Sequence, residues 1–159
     1  MQKDGLKWDK KPNQKYFVEL LRVSKNSIIW GGNNFQLPNT EYFIIWDKQQ
    51  TVDNFATAEY AWTNCKKPAK IFKYGIHKHN HIKDKIHPTQ KPVNLYRWIL
   101  QNYAKENDLI FDSHSGSGSL AIACIEENFN YIACELDEDY HKASLERIQP
   151  YKDQLKLFA

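Results

Sequence analysis

Three observations predict an α/β fold built on a mostly parallel sheet in three layers. Two strand-turn-helix units follow one another between Leu109 and Ile148, a series of short aromatic and β-branched segments precedes them, and an amphipathic helix lies between.

Taken in order, Tyr16 to Val23 carries Phe17, Val18, Leu20, Leu21 and Val23, a spacing that suits one face of a short helix. Ser27 to Trp30 is a short buried-strand candidate stopped by Gly31-Gly32. Tyr42 to Trp46 is a compact aromatic and β-branched run, and Asn54 to Thr63 and Ile71 to Tyr74 alternate loosely, so all three read as strands. From Gly75 to Pro88 the periodicity dissolves into Lys, His, Asn and Asp, which predicts a surface loop.

From Pro92 onwards Val93, Tyr96, Ile99, Leu100 and Tyr103 recur at three- and four-residue spacing behind a first-turn proline, the clearest helix in the chain. A strand (Leu109 to Phe111), a glycine-containing turn, a helix (Leu120 to Glu127), a second strand (Tyr131 to Cys134) and a last helix (about Glu138 to Ile148) complete the series.

At 159 residues the chain is expected to form one domain, and no apolar run reaches the length needed to cross a bilayer. Met1 to Lys15 is polar and lysine-rich, unlike a secretory signal. Cys65, Cys124 and Cys134 have no metal-type spacing, and the last two sit in apolar stretches where they read as small buried hydrophobes. A reducing, cytoplasmic setting is the expectation.

The formal charge of +3 does not by itself imply nucleic acid, but its distribution is uneven. Between Lys66 and Lys91 there are eight lysines, and the only acid is Asp84. Lys73, Lys78, Lys83 and Lys85 are the candidate phosphate contacts, since each neutralised phosphate releases counterions. His77, His79 and His81, with His87 nearby, alternate without a carboxylate or thiolate partner, so no metal site is expected.

The segment Phe111-Asp112-Ser113-His114-Ser115-Gly116-Ser117-Gly118-Ser119-Leu120-Ala121 places a G-x-G-x-x-A pattern between a strand and a helix. Glycines there permit a tight turn and a close ligand approach, and Glu135, at the end of the next strand, is placed to accept ribose hydroxyls. A dinucleotide and an adenosyl amino acid both fit this pattern. Only about forty residues follow the turn, fewer than a dinucleotide fold uses downstream, so the rest of the sheet must come from upstream.

His87-Pro88-Thr89-Gln90-Lys91-Pro92-Val93-Asn94-Leu95, a helix, Ile110-Phe111-Asp112 and the Gly116-Ser117-Gly118 turn together resemble the permuted class of DNA amino-methyltransferases. The resemblance extends to Tyr16–Lys25, to Ile28-Ile29-Trp30-Gly31-Gly32-Asn33 and to Ile44-Ile45-Trp46-Asp47-Lys48, in family order across nearly the whole chain. It implies a three-layer, methyltransferase-type α/β sheet in permuted order and S-adenosylmethionine as cofactor. Double-stranded DNA is the implied partner, in a restriction-modification setting. The implied activity is methylation of a base amine in a flipped nucleotide, adenine N6 ahead of cytosine N4.

By the same resemblance Thr89, Lys91 and Pro92 border the methionine end of the cofactor. Asp112, His114, Ser115, Gly116, Ser117, Gly118 and Ser119 line its middle, and Glu135 holds its ribose. Residues 1–150 form the methyltransferase domain: 1–74 a catalytic-half remnant, 75–86 a DNA-facing loop, 87–150 the cofactor half. Residues 151–159 form a tail. Ser113-His114 departs from the commoner Pro-Phe, placing an imidazole where an aromatic edge usually packs on the cofactor.

The family's Asp-Pro-Pro-Tyr motif, which accepts hydrogen bonds from the target amine and stacks the base, is not found: no two of the six prolines are adjacent. The expectation is a chain lacking its N-terminal strand and catalytic loop, with a non-catalytic cofactor- and DNA-binding remnant or subunit as the alternative. Gln154-Leu155-Lys156-Leu157-Phe158 resembles the short peptides that dock into bacterial sliding clamps, so a clamp is a further candidate partner, with a packing tail as the alternative.

Overall fold

The computed structural model describes residues 11–75 and 85–156. The chain divides into two compact units, Met1–Ile76 and His77–Ala159.

In the first unit, α1 (Gln14–Val23) begins where the Asn13 side chain accepts the Tyr16 amide, a conventional N-cap. Its Phe17 is buried against Ile29 and Trp62, with Leu20, Leu21, Phe35 and Leu37 around them. β1 (Ile28–Trp30) ends at Gly31, whose φ of +65° suits a residue without a Cβ. Gly32 then passes so close to Trp62 that a Cβ would lie 2.4 Å from the Trp62 Cβ. β2 (Phe43–Asp47) buries Ile44 and Trp46 on alternate positions, the period-2 signature that its sequence carries.

β3 (Ala58–Thr63) and β4 (Lys70–Lys73) complete a four-stranded sheet in the order β1-β3-β2-β4. β3 pairs antiparallel with both β1 and β2, and only β2 and β4 run parallel. This sheet is therefore mixed, where a mostly parallel one was expected. The reason is β3, which returns beside β2 after a loop too short for a helical crossover. The strand expected from Asn54 starts four residues later, because Asn54 takes a left-handed conformation and the Gln50 side chain ties the loop through Phe55 O and Val52 N.

In the second unit, α2 (Val93–Tyr103) follows Pro92, then come β5 (Leu109–Asp112), α3 (Ser119–Glu126), β6 (Asn130–Ala133) and α4 (Glu138–Lys156). β5 and β6 pair in parallel, Leu109 with Asn130 through Asp112 with Ala133, the right arrangement for a β-α-β crossover through α3. α3 is apolar almost all round because it is covered on two sides. Ala123 and Cys124 pack with Leu100 of α2, and Ala121, Ile122 and Ile125 pack with Ile148 of α4.

Ile110 and Tyr131 carry the strand pair onto these clusters, while Leu109, Phe111 and Ile132 on the opposite face are exposed. Within this unit the described helices thus cover one face of the β5–β6 pair, and the three-layer arrangement is not completed by its own elements.

Two expectations are corrected here. Cys124 is fully buried, its thiol pushed up to about 12 by burial, but Cys134 is exposed because it falls on the outward side of the β6 alternation. The last helix does not end near Ile148 but runs through Pro150 to Lys156, so residues 151–156 are helical rather than a separate tail. Tyr151 packs on the Ile125–Ile148 cluster and the Gln149 amide reaches Asp153, which together carry the helix past the lost proline donor. Among the described residues no helix is long and apolar enough to cross a membrane.

Candidate functional site

The chemistry-bearing residues of the second unit gather at the carboxyl ends of β5 and β6, the position where parallel α/β sheets bind ligands. β5 delivers Asp112, and the chain turns into α3 through Ser113–Gly118. The turn is fastened to the neighbouring strand because Cys134 N donates to Asp112 O (2.8 Å) and Ser115 N donates to Cys134 O (2.9 Å). Gly116 and Gly118 have φ of +49° and +72°, left-handed conformations that the two glycines of the sequence pattern accept without strain.

Two carboxylates face this turn. Glu135, two residues beyond β6, accepts the Gly116 amide on Oε2 (2.7 Å) and the Asp137 amide on Oε1 (3.0 Å). Asp112 accepts the His114 amide (3.2 Å) on Oδ1. Burial is the main reason that the Asp112 carboxyl is held above its ordinary range. Glu135 adds to the effect, while the His114 amide, the His114 ring and Lys91 oppose it. Asp137 in turn caps α4 by accepting the amides of Asp139 and Tyr140.

The His-Pro-Thr-Gln-Lys-Pro segment comes to the same place. His87 to Gln90 form a β-turn in which the Gln90 amide donates to His87 O (3.1 Å) and proline occupies the second position that it favours. The buried Gln90 side chain accepts the Ile86 amide, and the His87 Nδ1 accepts the Thr89 amide (3.3 Å) with the Thr89 hydroxyl 3.1 Å away. The His87 ring lies beside Gly116, where a Cβ would sit 3.4 Å from Cγ, and makes an edge-type contact with Tyr140 at 4.4 Å between centroids. Pro92 then opens α2 with φ −64°.

Thr89, Lys91, Pro92, Asp112, His114, Ser115, Gly116 and Glu135 are therefore assembled in one region of one unit. Thr89 and His114 are exposed there, and Lys91, Asp112, Ser115 and Glu135 are half-buried. Ser117 and Ser119 are a different matter. Only 4% and 2% exposed, their hydroxyls meet each other at 3.1 Å, and Arg147 donates to Ser117 O and to Ser119 Oγ. Their side chains anchor the turn to α4. Gly118 is likewise turned towards Ile148 and Ser144 of α4.

The candidate DNA contacts divide between the units. Lys73 is exposed at the end of β4 in the first, and Lys85 is exposed just before the His87 turn in the second. Lys78 and Lys83 lie outside the described residues, as do His77, His79 and His81. Among the described residues no cluster could hold a metal ion. Of the Gln154–Phe158 peptide, Leu157 and Phe158 also lie outside.

Reading the sequence alone missed His87, Gln90, Tyr140 and Arg147 as parts of this region. His87 and Gln90 stood inside a motif but without a task, and only their burial shows that they shape the turn. Tyr140 and Arg147 act across more than twenty residues, and no local pattern marks them.

Comparison with known proteins identifies the family. The family described as DNA methylase matches residues 3–146. The type II methyltransferase M2.MboI of Moraxella bovis is 29% identical, over 78% of this chain and 54% of that protein. The type II methyltransferase M.HinfI of Haemophilus influenzae is 26% identical, over 86% and 50%. The chain thus spans about half the length of these relatives. Among solved structures, a complex of M1.HpyAVI with SAM aligns with TM-score 0.52 at 23% identity, over 66% of this chain and 60% of that one. The cytosine-N4-specific PvuII DNA methyltransferase aligns with TM-score 0.54 at 14% identity, over 72% and 56%. These two show the shared fold.

Proposed function

The chain belongs to the DNA methylase family, and on that premise we propose that its second unit binds S-adenosylmethionine for methyl transfer to an amino group of a DNA base, adenine N6 in the first instance. The observation that carries the cofactor assignment is the Glu135–Gly116 hydrogen bond. A dinucleotide would direct its pyrophosphate at the amides of this turn. Here the Gly116 amide is already taken by a carboxylate, and Asp112 adds a second acid beside it. That surface repels a phosphate and suits a ligand with a sulfonium and an ammonium group.

Each Glu135 oxygen accepts one amide and keeps a lone pair with which to receive a ribose hydroxyl. Lys91, next to the Thr89 turn, supplies the positive charge for the single carboxylate of the methionine moiety. Bound S-adenosylmethionine supplies an electrophilic methyl group. The protein's own contribution here is orientation: the turn is rigidly tied to β6 and α4, so the ligand meets a surface that needs no rearrangement.

Lys73 and Lys85, with Lys78 and Lys83, contact phosphates of double-stranded DNA in this reading. Replacing any one of them should reduce the salt dependence of DNA binding by up to about one counterion. The choice of adenine N6 over cytosine N4 rests on the sequence resemblance. A second reading, binding of cofactor and DNA without turnover, is favoured by the absence of adjacent prolines in these 159 residues.

Calorimetric titration of the chain with S-adenosylmethionine and, separately, with NAD tests the assignment. Saturable binding of the first, lost in Asp112→Ala with the melting profile retained, is expected. A preference for NAD would overturn it. Transfer of labelled methyl groups to unmethylated DNA by the purified chain then separates the two readings.

A further inference from the structure

We propose that His87 is a positioning residue of the cofactor site, a neutral imidazole buried beside Gly116 that keeps the turn in its ligand-receiving shape. This rests on the cofactor reading above.

Four observations carry it. His87 is only 9% exposed, although it lies in a turn between a charged segment and a helix. Its ring is the nearest group to the open side of Gly116, with Cγ, Cδ2 and Nδ1 all 3.4–3.5 Å from where a Cβ would be, an ordinary van der Waals separation for such a methyl. The amide of that same Gly116 is the donor to Glu135, the expected ribose ligand. Tyr140, in the first turn of α4, packs against the ring in an edge-type contact, 4.4 Å between centroids. Gly116 therefore stands between the His87 ring, one methyl's width away, and the Glu135 carboxylate that its amide binds.

The protonation state follows from the hydrogen bonds. Nδ1 accepts the Thr89 amide, so the proton of the neutral ring is on Nε2. A second proton on Nδ1 would break that bond and leave a donor facing a donor. The charged groups that act on the ring are Glu135 and Asp137, which favour protonation, and Lys85 and Lys91, which oppose it. Burial, the largest influence, acts with the two lysines against the two carboxylates and keeps the His87 pKa below its ordinary value. A protonated ring would also set a cation beside the site of a cationic cofactor.

The consequence is an acid limb in cofactor affinity. A base whose folded pKa is depressed stays neutral at pH 7 and charges only when the pH falls through that folded value. S-adenosylmethionine affinity of the wild-type chain should hold between pH 7 and 8.5 and fall about tenfold for each pH unit below the folded pKa of His87. His87→Asn keeps an acceptor near the Nδ1 position but does not titrate, so its binding should be weaker by a constant factor and lack this limb. His87→Ala should bind most weakly at every pH.

The test is calorimetric titration from pH 5 to 8.5, with circular dichroism confirming the fold at each point. It is paired with NMR of the Gly116 amide in the ligand-free chain. The amide shift should follow the titration of the His87 ring in wild type and be pH-independent in this range in His87→Asn. An acid limb that persists unchanged in His87→Asn would assign it to a carboxylate such as Asp112 and overturn the proposal. A Gly116 amide indifferent to His87 titration would overturn it too. Absence of S-adenosylmethionine binding by wild type at every pH would instead sink the cofactor reading, and the amide measurement would then decide the link between His87 and the turn by itself.

Discussion

Gly118→Ala tests whether the turn into α3 is held by the conformation and packing described above. The residue has φ of +72°, and a Cβ there would stand 2.7 Å from Ile148 Cδ1, 3.2 Å from Ile148 Cγ1 and 3.4 Å from Ser144 Cβ. Placing an L-residue in the left-handed region costs roughly 1–2 kcal/mol. Ile148 is 5% exposed, and Cδ1 is the far end of a side chain that can move, so relieving the clash costs about a further 1 kcal/mol through an off-rotamer side chain. Lower entropy of the unfolded alanine chain returns about 0.4–1 kcal/mol. The net loss is therefore about 2 kcal/mol, measured as a shift in the urea midpoint at constant slope.

The steric share can be isolated. Ile148→Val removes Cδ1 and alone should cost about 1 kcal/mol. In the double variant the same deletion makes room for the new Cβ, so the combined loss should fall about 1 kcal/mol short of the sum. A loss under about 0.5 kcal/mol for Gly118→Ala would refute the strained turn. Strict additivity in the double variant would refute the contact with Ile148.

Three further outcomes follow from the same region and its supports. Asp112→Asn should raise the melting temperature by about a few degrees at pH 7 while weakening S-adenosylmethionine binding; scanning calorimetry and titration on one preparation check both, and a lowered melting point would contradict the buried-charge reading. The sign follows from the raised Asp112 pKa, because the folded state penalises the carboxylate and its stability falls as pH rises through the folded value. Arg147→Ala removes the donor to Ser117 O and Ser119 Oγ and should cost about 1–3 kcal/mol in urea titration, with cofactor affinity reduced through a loosened turn. Glu127, whose pKa is lowered chiefly by the Arg97 hydrogen bond at 2.9 Å, ties α2 to the end of α3. Its contribution is present above the unfolded pKa and lost as pH falls through the folded one, so Glu127→Gln should flatten that part of the stability–pH curve.

Much of the second unit could be read locally. The period of Val93–Tyr103, the strand at Leu109 and the glycine pair at Gly116 and Gly118 are short-range patterns, and α2, β5 and the turn stand where those patterns put them. Glu135 was found by its distance along the chain from the glycines, since the length of one helix and one strand fixes that spacing. The motif around His87 located a segment, and the segment does reach the turn.

Tertiary structure decided everything that depends on which side of an element meets which neighbour. Ser117 and Ser119 alternate with glycines in a pattern that looks like a ligand surface, yet α4 packs against that side and takes their hydroxyls. Cys134 sits in an apolar run, but the other face of β6 is the buried one. Pro150 marks a helix end in sequence, and Tyr151 holds the helix beyond it by packing that only the fold provides. The antiparallel return of β3 and the placing of His87 beside Gly116 are non-local in the same sense. Spacing along the chain states which residues can reach a place, and side-chain packing from distant elements selects which of their faces remain open to a ligand.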